Sequence, residues 1–208
     1  MPFDPDNWVR AFLVTLVRVV TGVRPRWVGV PPKEGQRVYV ANHQSHLDAL
    51  AVWAALPEAL RARTRPVAAG DYWDKGALRR YISLRILRAV LIDRTHVSRA
   101  HHPLDGLMEP LRHGDSLIIF PEGTRNSEEG LRPFKSGIYH LARRMPGLTF
   151  IPVFLQNMNR VMPKGRHVPL PLICNLSFGP PLTMREEEDK ASFLSRTREA
   201  ILSLAGGV

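Results

Sequence analysis

Short apolar runs bounded by turn residues recur along the chain: Arg37 to Val40, Val67 to Ala69, Ala89 to Ile92, Ser116 to Phe120, Thr149 to Leu155 and Cys174 to Phe178. Runs of this length, closed by Gly, Pro, Asn or Asp, read as buried strands. Between several of them, apolar residues fall at helical spacing over Leu47 to Leu56, Leu78 to Leu87, Leu104 to His113 and Ser136 to Met145. The third has Pro103 at its start and Gly114 at its end, the usual helix punctuation. Alternating strands and helices predict a single α/β domain, its largely parallel central sheet flanked by helices. At the C-terminus, Thr183-Met184-Arg185-Glu186 has the form of a capping box, and Phe193, Leu194, Thr197, Ile201 and Leu204 follow on one face, so a closing helix is expected there. The Pro-rich stretch from Val161 to Pro171 reads as a surface loop of the kind that borders sites in α/β folds.

The first 26 residues carry a different pattern. Ala11 to Val17 is almost wholly apolar but is bracketed by Arg10 and Arg18, well short of the ~20 apolar residues that cross a bilayer. Wound as a helix, Trp8, Phe12, Leu16, Val19 and Val23 share one face, Arg10, Arg18 and Thr21 take the opposite one, and Arg24 and Arg26 follow. Such an N-terminal amphipathic helix suits a membrane interface; it equally suits a helix capping its own domain's core, and the pattern alone leaves both open. Residues 1–26 are therefore set apart as an interfacial segment from the domain at 27–208. The opening Met-Pro-Phe-Asp-Pro-Asp has no basic stretch before an apolar one, which speaks against a cleavable leader and for a cytoplasmic location.

Composition narrows the partners. With 208 residues, 44% hydrophobic and 23% charged, the chain has the balance of one globular domain. Its formal net charge of +10 calls for something anionic: a nucleic acid, a membrane surface or a phosphorylated small molecule. Arg79, Arg80, Arg85 and Arg88 alternate with Leu78, Tyr81, Ile82, Leu84, Ile86 and Leu87, a mixture suited to lipid. A nucleic-acid binder is expected to show a recognised fold motif or a stacking platform, and neither is legible. The lone Cys174 excludes a disulfide framework and any Cys-based zinc site.

Chemistry concentrates directly after the first confident strand, in Asn42-His43-Gln44-Ser45-His46-Leu47-Asp48. Ligands of open α/β sheets bind at the carboxyl ends of strands, so a strand-to-helix turn crowded with titratable groups is a candidate site. On a regular helix His43 and Asp48 would lie about 140° apart. They can meet only if His43 precedes the helix and Asp48 opens it, the arrangement that Ser45 as cap in a Ser45/Asp48 capping box produces. A His held by an Asp is a general base of fixed tautomer. No Gly-x-Ser-x-Gly elbow is present and only Ser45 offers itself as a nucleophile, so direct transfer to a hydroxyl is the simpler chemistry. Solvated turn histidines, or a metal held by His43, His46 and Asp48, are the competing readings.

A second group follows Ser116 to Phe120: Pro121-Glu122-Gly123-Thr124-Arg125-Asn126, whose Glu, Gly and Arg suit a polyol hydroxyl and a phosphate. Ile92-Asp93-Arg94 places another guanidinium at a strand end, where a surface ion pair is an equal reading. Pro133-Phe134-Lys135-Ser136-Gly137 puts a Lys at a predicted helix start, a place that favours an anion.

Together these residues resemble the glycerolipid acyltransferase family, typified by 1-acylglycerol-3-phosphate acyltransferases. The block Asn-His-x-Ser-x-x-Asp is complete in Asn42, His43, Ser45 and Asp48; a second ends in Ile92-Asp93-Arg94; a third, Phe-Pro-Glu-Gly-Thr-Arg-Ser, matches from Phe120 to Arg125 and departs at Asn126; an apolar strand with a Pro matches Phe150-Ile151-Pro152-Val153. The resemblance spans about Val38 to Val153. It implies transfer of a fatty acyl group from acyl-CoA or acyl carrier protein to the hydroxyl of a lysophospholipid, most simply 1-acylglycerol 3-phosphate, with no further cofactor and no metal. It assigns His43 as base and Asp48 as its orienting partner, with Asn42 and Ser45 supporting the turn. Arg94, Glu122, Gly123, Thr124 and Arg125 are to line the acceptor site, with Lys135 assisting. Relatives with the same blocks acylate ornithine lipids or glycolipids, and a basic binding module without catalysis is the alternative of another class. The implied location is peripheral, on the cytoplasmic face of the inner membrane.

Overall fold

Every second residue of β2 (Val38–Ala41) faces a different layer, which organises the whole molecule. In the computed structural model, which describes residues 4–29, 35–70, 76–92, 104–126, 130–158 and 174–206, Tyr39 and Ala41 face one apolar cluster and Val38 and Val40 the other. The neighbouring β5 (Ser116–Ile119) divides in the same way, Ile118 to the first cluster, Leu117 and Ile119 to the second. Strands of period two buried on both faces produce the near-continuous apolar runs seen in the sequence.

Seven strands form one sheet. β1 (Arg24–Trp27), β3 (Thr64–Ala69), β4 (Val90–Ile92), β6 (Phe150–Leu155) and β7 (Asn175–Phe178) join the two above in the order β1-β7-β6-β2-β5-β3-β4. The five strands from β6 to β4 are parallel; β7 runs antiparallel to β6, and β1 parallel to β7. One layer holds α1 (Pro5–Thr21) and α2 (Asp48–Ala55); the other holds α5 (Asp105–Arg112), α6 (Gly137–Arg144) and α7 (Lys190–Leu202). A short α3 (Glu58–Arg61) leads into β3, and α4 (Ala77–Arg80) continues as a π-helical turn over Tyr81–Ile86 before β4. The expected α/β domain with a largely parallel sheet, flanking helices and an N-terminal amphipathic helix is thus the observed one.

Two local features differ from expectation. The closing helix begins at Lys190, capped by Asp189, whose carboxylate accepts from the Ala191 and Ser192 N–H groups at 2.7 and 3.0 Å; Thr183 to Glu186 lies outside the helix. Arg24 and Arg26 are not a tail behind a helix but part of the edge strand β1, where Trp27 stacks on Phe178 at 4.0 Å between centroids. A division at residue 26 therefore cuts a strand of the common sheet. The Val161 to Pro171 stretch lies outside the described residues.

α1 turns its arginine side inward. Val14, Val17 and Thr21 are buried against the domain, while both Arg18 Nε and Nη2 donate to the Ala54 carbonyl at the end of α2, at 3.0 and 2.8 Å. Carbonyls of a helix's last turn lack intrahelical partners, so the guanidinium satisfies a group that would otherwise be orphaned. Arg10 likewise donates to the carbonyls of Arg85 and Ile86. The apolar side is left outward: Trp8, Phe12 and Val19 are 68%, 67% and 71% exposed.

Candidate active site

The site is built where the chain leaves β2. Asn42 is buried and ties β2 to β6, its Nδ2 donating to the Leu155 carbonyl at 3.0 Å and its Oδ1 accepting from the Leu155 N–H at 2.7 Å. This clamp fixes the backbone from which His43 departs. Five residues on, Asp48 opens α2, and the helix N-terminus favours its negative charge.

His43 and Asp48 meet. His43 Nδ1 lies 2.8 Å from Asp48 Oδ2, and the same oxygen accepts from the Gln44 and Ser45 N–H groups at 2.6 and 2.8 Å. Asp48 is fully buried, and its Oδ1 has no hydrogen-bond partner among the described residues. A carboxylate accepts only, so Nδ1 carries the proton and Nε2 is the nitrogen with a lone pair to offer. The imidazole also stacks on Phe120, centroids 4.4 Å apart and planes 24° apart. Its backbone is held from the β5 side: the His43 N–H donates to Glu122 Oε1 at 2.9 Å, and its carbonyl accepts from the Asn126 N–H at 2.7 Å.

Half of the anticipated capping box is present. Asp48 reaches back to the Ser45 N–H, but the Ser45 hydroxyl accepts from Leu47 N–H at 3.3 Å while Asp48 N–H goes to the Ser45 carbonyl. Ser45 therefore closes the turn before the helix. Its side chain is buried.

The β5 turn is braced from within by Glu122, 3% exposed, whose second oxygen accepts from the Arg132 N–H at 3.0 Å. Burial pushes the Glu122 carboxyl up, and the two backbone donors oppose that rise. With both oxygens engaged by backbone, Glu122 acts on the site through the placement of His43. Asn126 completes the brace, donating through Nδ2 to the Gly130 carbonyl at 3.0 Å. The departure from the family's Ser thus falls at a buried structural position. Gly123 adopts φ +70°, and a Cβ there would come within 2.6–2.8 Å of the Lys135 side chain. The backbone conformation favours glycine, and a Cβ would also push the flexible Lys135 side chain aside. Lys135 consequently crosses the turn that carries the exposed Thr124 and Arg125, its own N–H donating to the Pro121 carbonyl at 2.8 Å. Arg94 lies outside the described residues.

His46 is half-buried, and burial, followed by the charges of Arg125, His43 and Arg79, holds its imidazole below the usual histidine value; Asp48 opposes them. Among the described residues no three His, Cys, Asp or Glu side chains are grouped to share a metal ion. The sequence pattern did not single out Phe120 as the stacking partner, the Arg132 N–H as the second donor to Glu122, or Arg79 as a neighbour of His46. Phe120 opens a motif and Arg79 belongs to the basic and aliphatic stretch suited to lipid, but neither pattern shows which side chain it meets; Arg132 carries no local signal.

Residues 25–156 match the family model described as Acyltransferase. The chain is 27% identical over 171 residues to the 1-acyl-sn-glycerol-3-phosphate acyltransferase alpha of Mus musculus, covering 80% of this chain and 58% of the relative. It is 31% identical over 130 residues to the 1-acyl-sn-glycerol-3-phosphate acyltransferase of Salmonella typhimurium, covering 59% and 48%. The chain spans about half the length of the curated relatives it matches. Its fold matches the crystal structure of the 1-acyl-sn-glycerophosphate (LPA) acyltransferase of Thermotoga maritima with a TM-score of 0.73 at 21% identity, over 96% of this chain and 80% of the other. A family match over more than half of the chain, a shared fold, and a His43–Asp48 pair assembled at the strand end where the motif places it lead to one statement: this chain belongs to the acyltransferase family.

Proposed function

We propose that this protein transfers a fatty acyl group from an acyl thioester, acyl-CoA or acyl-acyl carrier protein, to the free hydroxyl of a lysophospholipid, with 1-acylglycerol 3-phosphate as the natural acceptor. The observation that carries this reading is the buried, triply hydrogen-bonded Asp48 holding Nδ1 of His43. Nε2 removes the hydroxyl proton as the oxygen attacks the thioester carbonyl. The tetrahedral intermediate then expels the thiolate, which takes the proton back from the imidazolium, so ester and thiol leave and His43 is regenerated. No covalent intermediate on the enzyme is needed. The Ser45 hydroxyl is buried in its turn, and burial, then the Asp48 charge, pushes the buried Cys174 thiol up to about 11, far from a reactive thiolate.

Acceptor recognition falls to the β5 turn and what crosses it. Arg125 and Lys135 supply positive charge for a phosphate, Gly123 and Thr124 give close approach, Arg94, outside the described residues, supplies a further charge, and Glu122 shapes the pocket from behind. The relatives' names support a phosphate-bearing acceptor.

Attachment is peripheral in this reading. Among the described residues no helix is long and apolar enough to cross a membrane. Trp8, Phe12, Leu16 and Val19 on α1, with Leu78, Tyr81 and Leu84 on α4 and its π turn, are outward apolar side chains. In a chain of net charge +10 they suit the anionic cytoplasmic leaflet. The test is purified protein with labelled acyl-CoA against a panel of lysolipid acceptors. A preference for 1-acylglycerol 3-phosphate is expected; equal use of phosphate-free ornithine or glycolipid acceptors overturns the assignment.

A further inference from the structure

Arg79 belongs to none of the motifs, yet two observations bring it to the site and a third suits it to a lipid. First, α4 lies on the connection that leaves the carboxyl end of β3, and β3 is the parallel neighbour of β5, whose carboxyl end carries Glu122 to Arg125. The turns after β2, β5 and β3 therefore open on the same edge of the sheet, where ligands of such folds bind. Second, the Arg79 charge is felt at His46 together with that of Arg125, although the two arginines come from different connections. Third, Arg79 is flanked by outward apolar side chains, Leu78 at 71% exposure and Tyr81 and Leu84 beyond it. A guanidinium among such side chains sits at the depth where a lipid head group meets water.

The element carrying Arg79 is tied down. Tyr81 Oη donates to Asp6 Oδ1 at 2.8 Å, Arg85 Nε donates to Asp6 Oδ2 at 2.7 Å, and Arg10 donates to the carbonyls of Arg85 and Ile86. The π turn that continues α4 is thus fastened to α1, and π turns are common at functional sites.

We infer that Arg79 is a specificity-determining residue for the anionic head group of the acceptor, holding the phosphate against Arg125 above His46 while the lipid tail lies along the outward apolar side chains. This rests on the acyl-transfer reading and adds to it a contact from outside the motifs. Among the described residues, the charged groups facing His46 include Arg125 from the β5 turn, His43 and Asp48 from its own loop and helix, and Arg79 from α4. An anion between the two guanidiniums offsets the repulsion that a protonated His46 meets there.

The test uses the full chain with Arg79→Ala and Arg79→Lys. For a lysophosphatidate acceptor, Arg79→Ala is expected to raise the acceptor KM about tenfold, the contribution of one charged hydrogen bond, with kcat and the thioester KM within about twofold. Arg79→Lys recovers most of the loss, and a phosphate-free lysolipid is used equally by all three proteins. A second readout needs no turnover: the His46 ring resonances, titrated with pH, shift their midpoint upward on adding inorganic phosphate in the wild type and not in Arg79→Ala. An unchanged acceptor KM, an equal kcat loss on every acceptor, or no rescue by lysine overturns the inference while leaving acyl transfer standing. If the wild type acylates nothing, the functional reading fails; a phosphate-dependent His46 midpoint that needs Arg79 then still supports the anion contact, and its absence overturns it.

Discussion

Replacing Asp48 by Asn preserves size and deletes one charge, so it separates what the carboxylate does electrically from what it does as a brace. One oxygen, Oδ2, accepts from His43 Nδ1, Gln44 N–H and Ser45 N–H, at 2.8, 2.6 and 2.8 Å. An amide keeps all three only with its oxygen at that position, and its NH₂ then occupies the place of Oδ1, which has no partner among the described residues. A buried unsatisfied donor costs ~1–3 kcal/mol, a modest fall in stability partly offset by no longer burying a charge. The kinetic effect is larger. Unit charges about 4 Å apart at an effective dielectric of about 20 attract by ~4 kcal/mol, and that stabilisation of the imidazolium formed as Nε2 takes the hydroxyl proton is lost. At ~1.4 kcal/mol per decade the expected fall in kcat is about 10³-fold, with both KM values little changed. Steady-state kinetics against both substrates, beside circular dichroism and a thermal melt, make the measurement. An Asp48→Asn protein that is folded and retains more than about a tenth of wild-type kcat refutes the electrostatic role.

Gly123→Ala forces a side chain into φ +70° and against Lys135, so kcat/KM for the acceptor should drop at least about tenfold while the melt shifts only by a small amount; calorimetry beside kinetics checks this. Asn42→Ala leaves both the N–H and the carbonyl of Leu155 without their buried partner and should destabilise by ~2–4 kcal/mol, read by urea denaturation. Because burial raises the folded-state value of Glu122 above its ordinary 4.5, its contribution to stability is full below that value and fades as pH rises through the raised one; melts should show wild type losing stability relative to the non-titrating Glu122→Gln from acid toward neutral pH. Phe12→Glu with Leu16→Glu should abolish flotation with anionic liposomes at low salt and leave turnover of a soluble short-chain acceptor intact, as these side chains face outward.

The interior strands were legible because burial on both faces leaves a run of apolar residues with nothing to confuse it, as in Leu117-Ile118-Ile119. β1 was not, because Arg24, Pro25 and Arg26 are all exposed on an edge strand and only Trp27 packs, on Phe178. Helix α7 was recognised by its buried stripe, but its start was misplaced because Thr183 to Glu186 and Asp189 both offer local caps, and it is the Asp189 carboxylate that accepts from the Ala191 and Ser192 N–H groups. In α1 the sequence showed two chemically distinct sides correctly. What it could not show is that Arg10 and Arg18 find carbonyl acceptors at the ends of neighbouring helical segments, which turns the charged side inward and the tryptophan side out. At the site, the turn geometry allowed the His43–Asp48 meeting and the family resemblance implied it, although the Ser45 cap expected to produce it is only half formed. The bracing of Glu122 did not, since its two donors, His43 and Arg132, come from loops that only the folded sheet brings together.

The central claim is direct acyl transfer with Nε2 of His43 as the base, and one quench experiment addresses it. Wild-type and His43→Ala proteins are mixed with a radiolabelled acyl thioester, with and without 1-acylglycerol 3-phosphate, and acid-quenched samples are separated into protein and lipid. The account predicts label in the diacyl product only for the wild type with acceptor present, a loss of at least ~10²-fold in His43→Ala, and no label on the wild-type protein when acceptor is withheld. Stoichiometric label on Ser45 in the acceptor-free wild type, or undiminished product from His43→Ala, would contradict it.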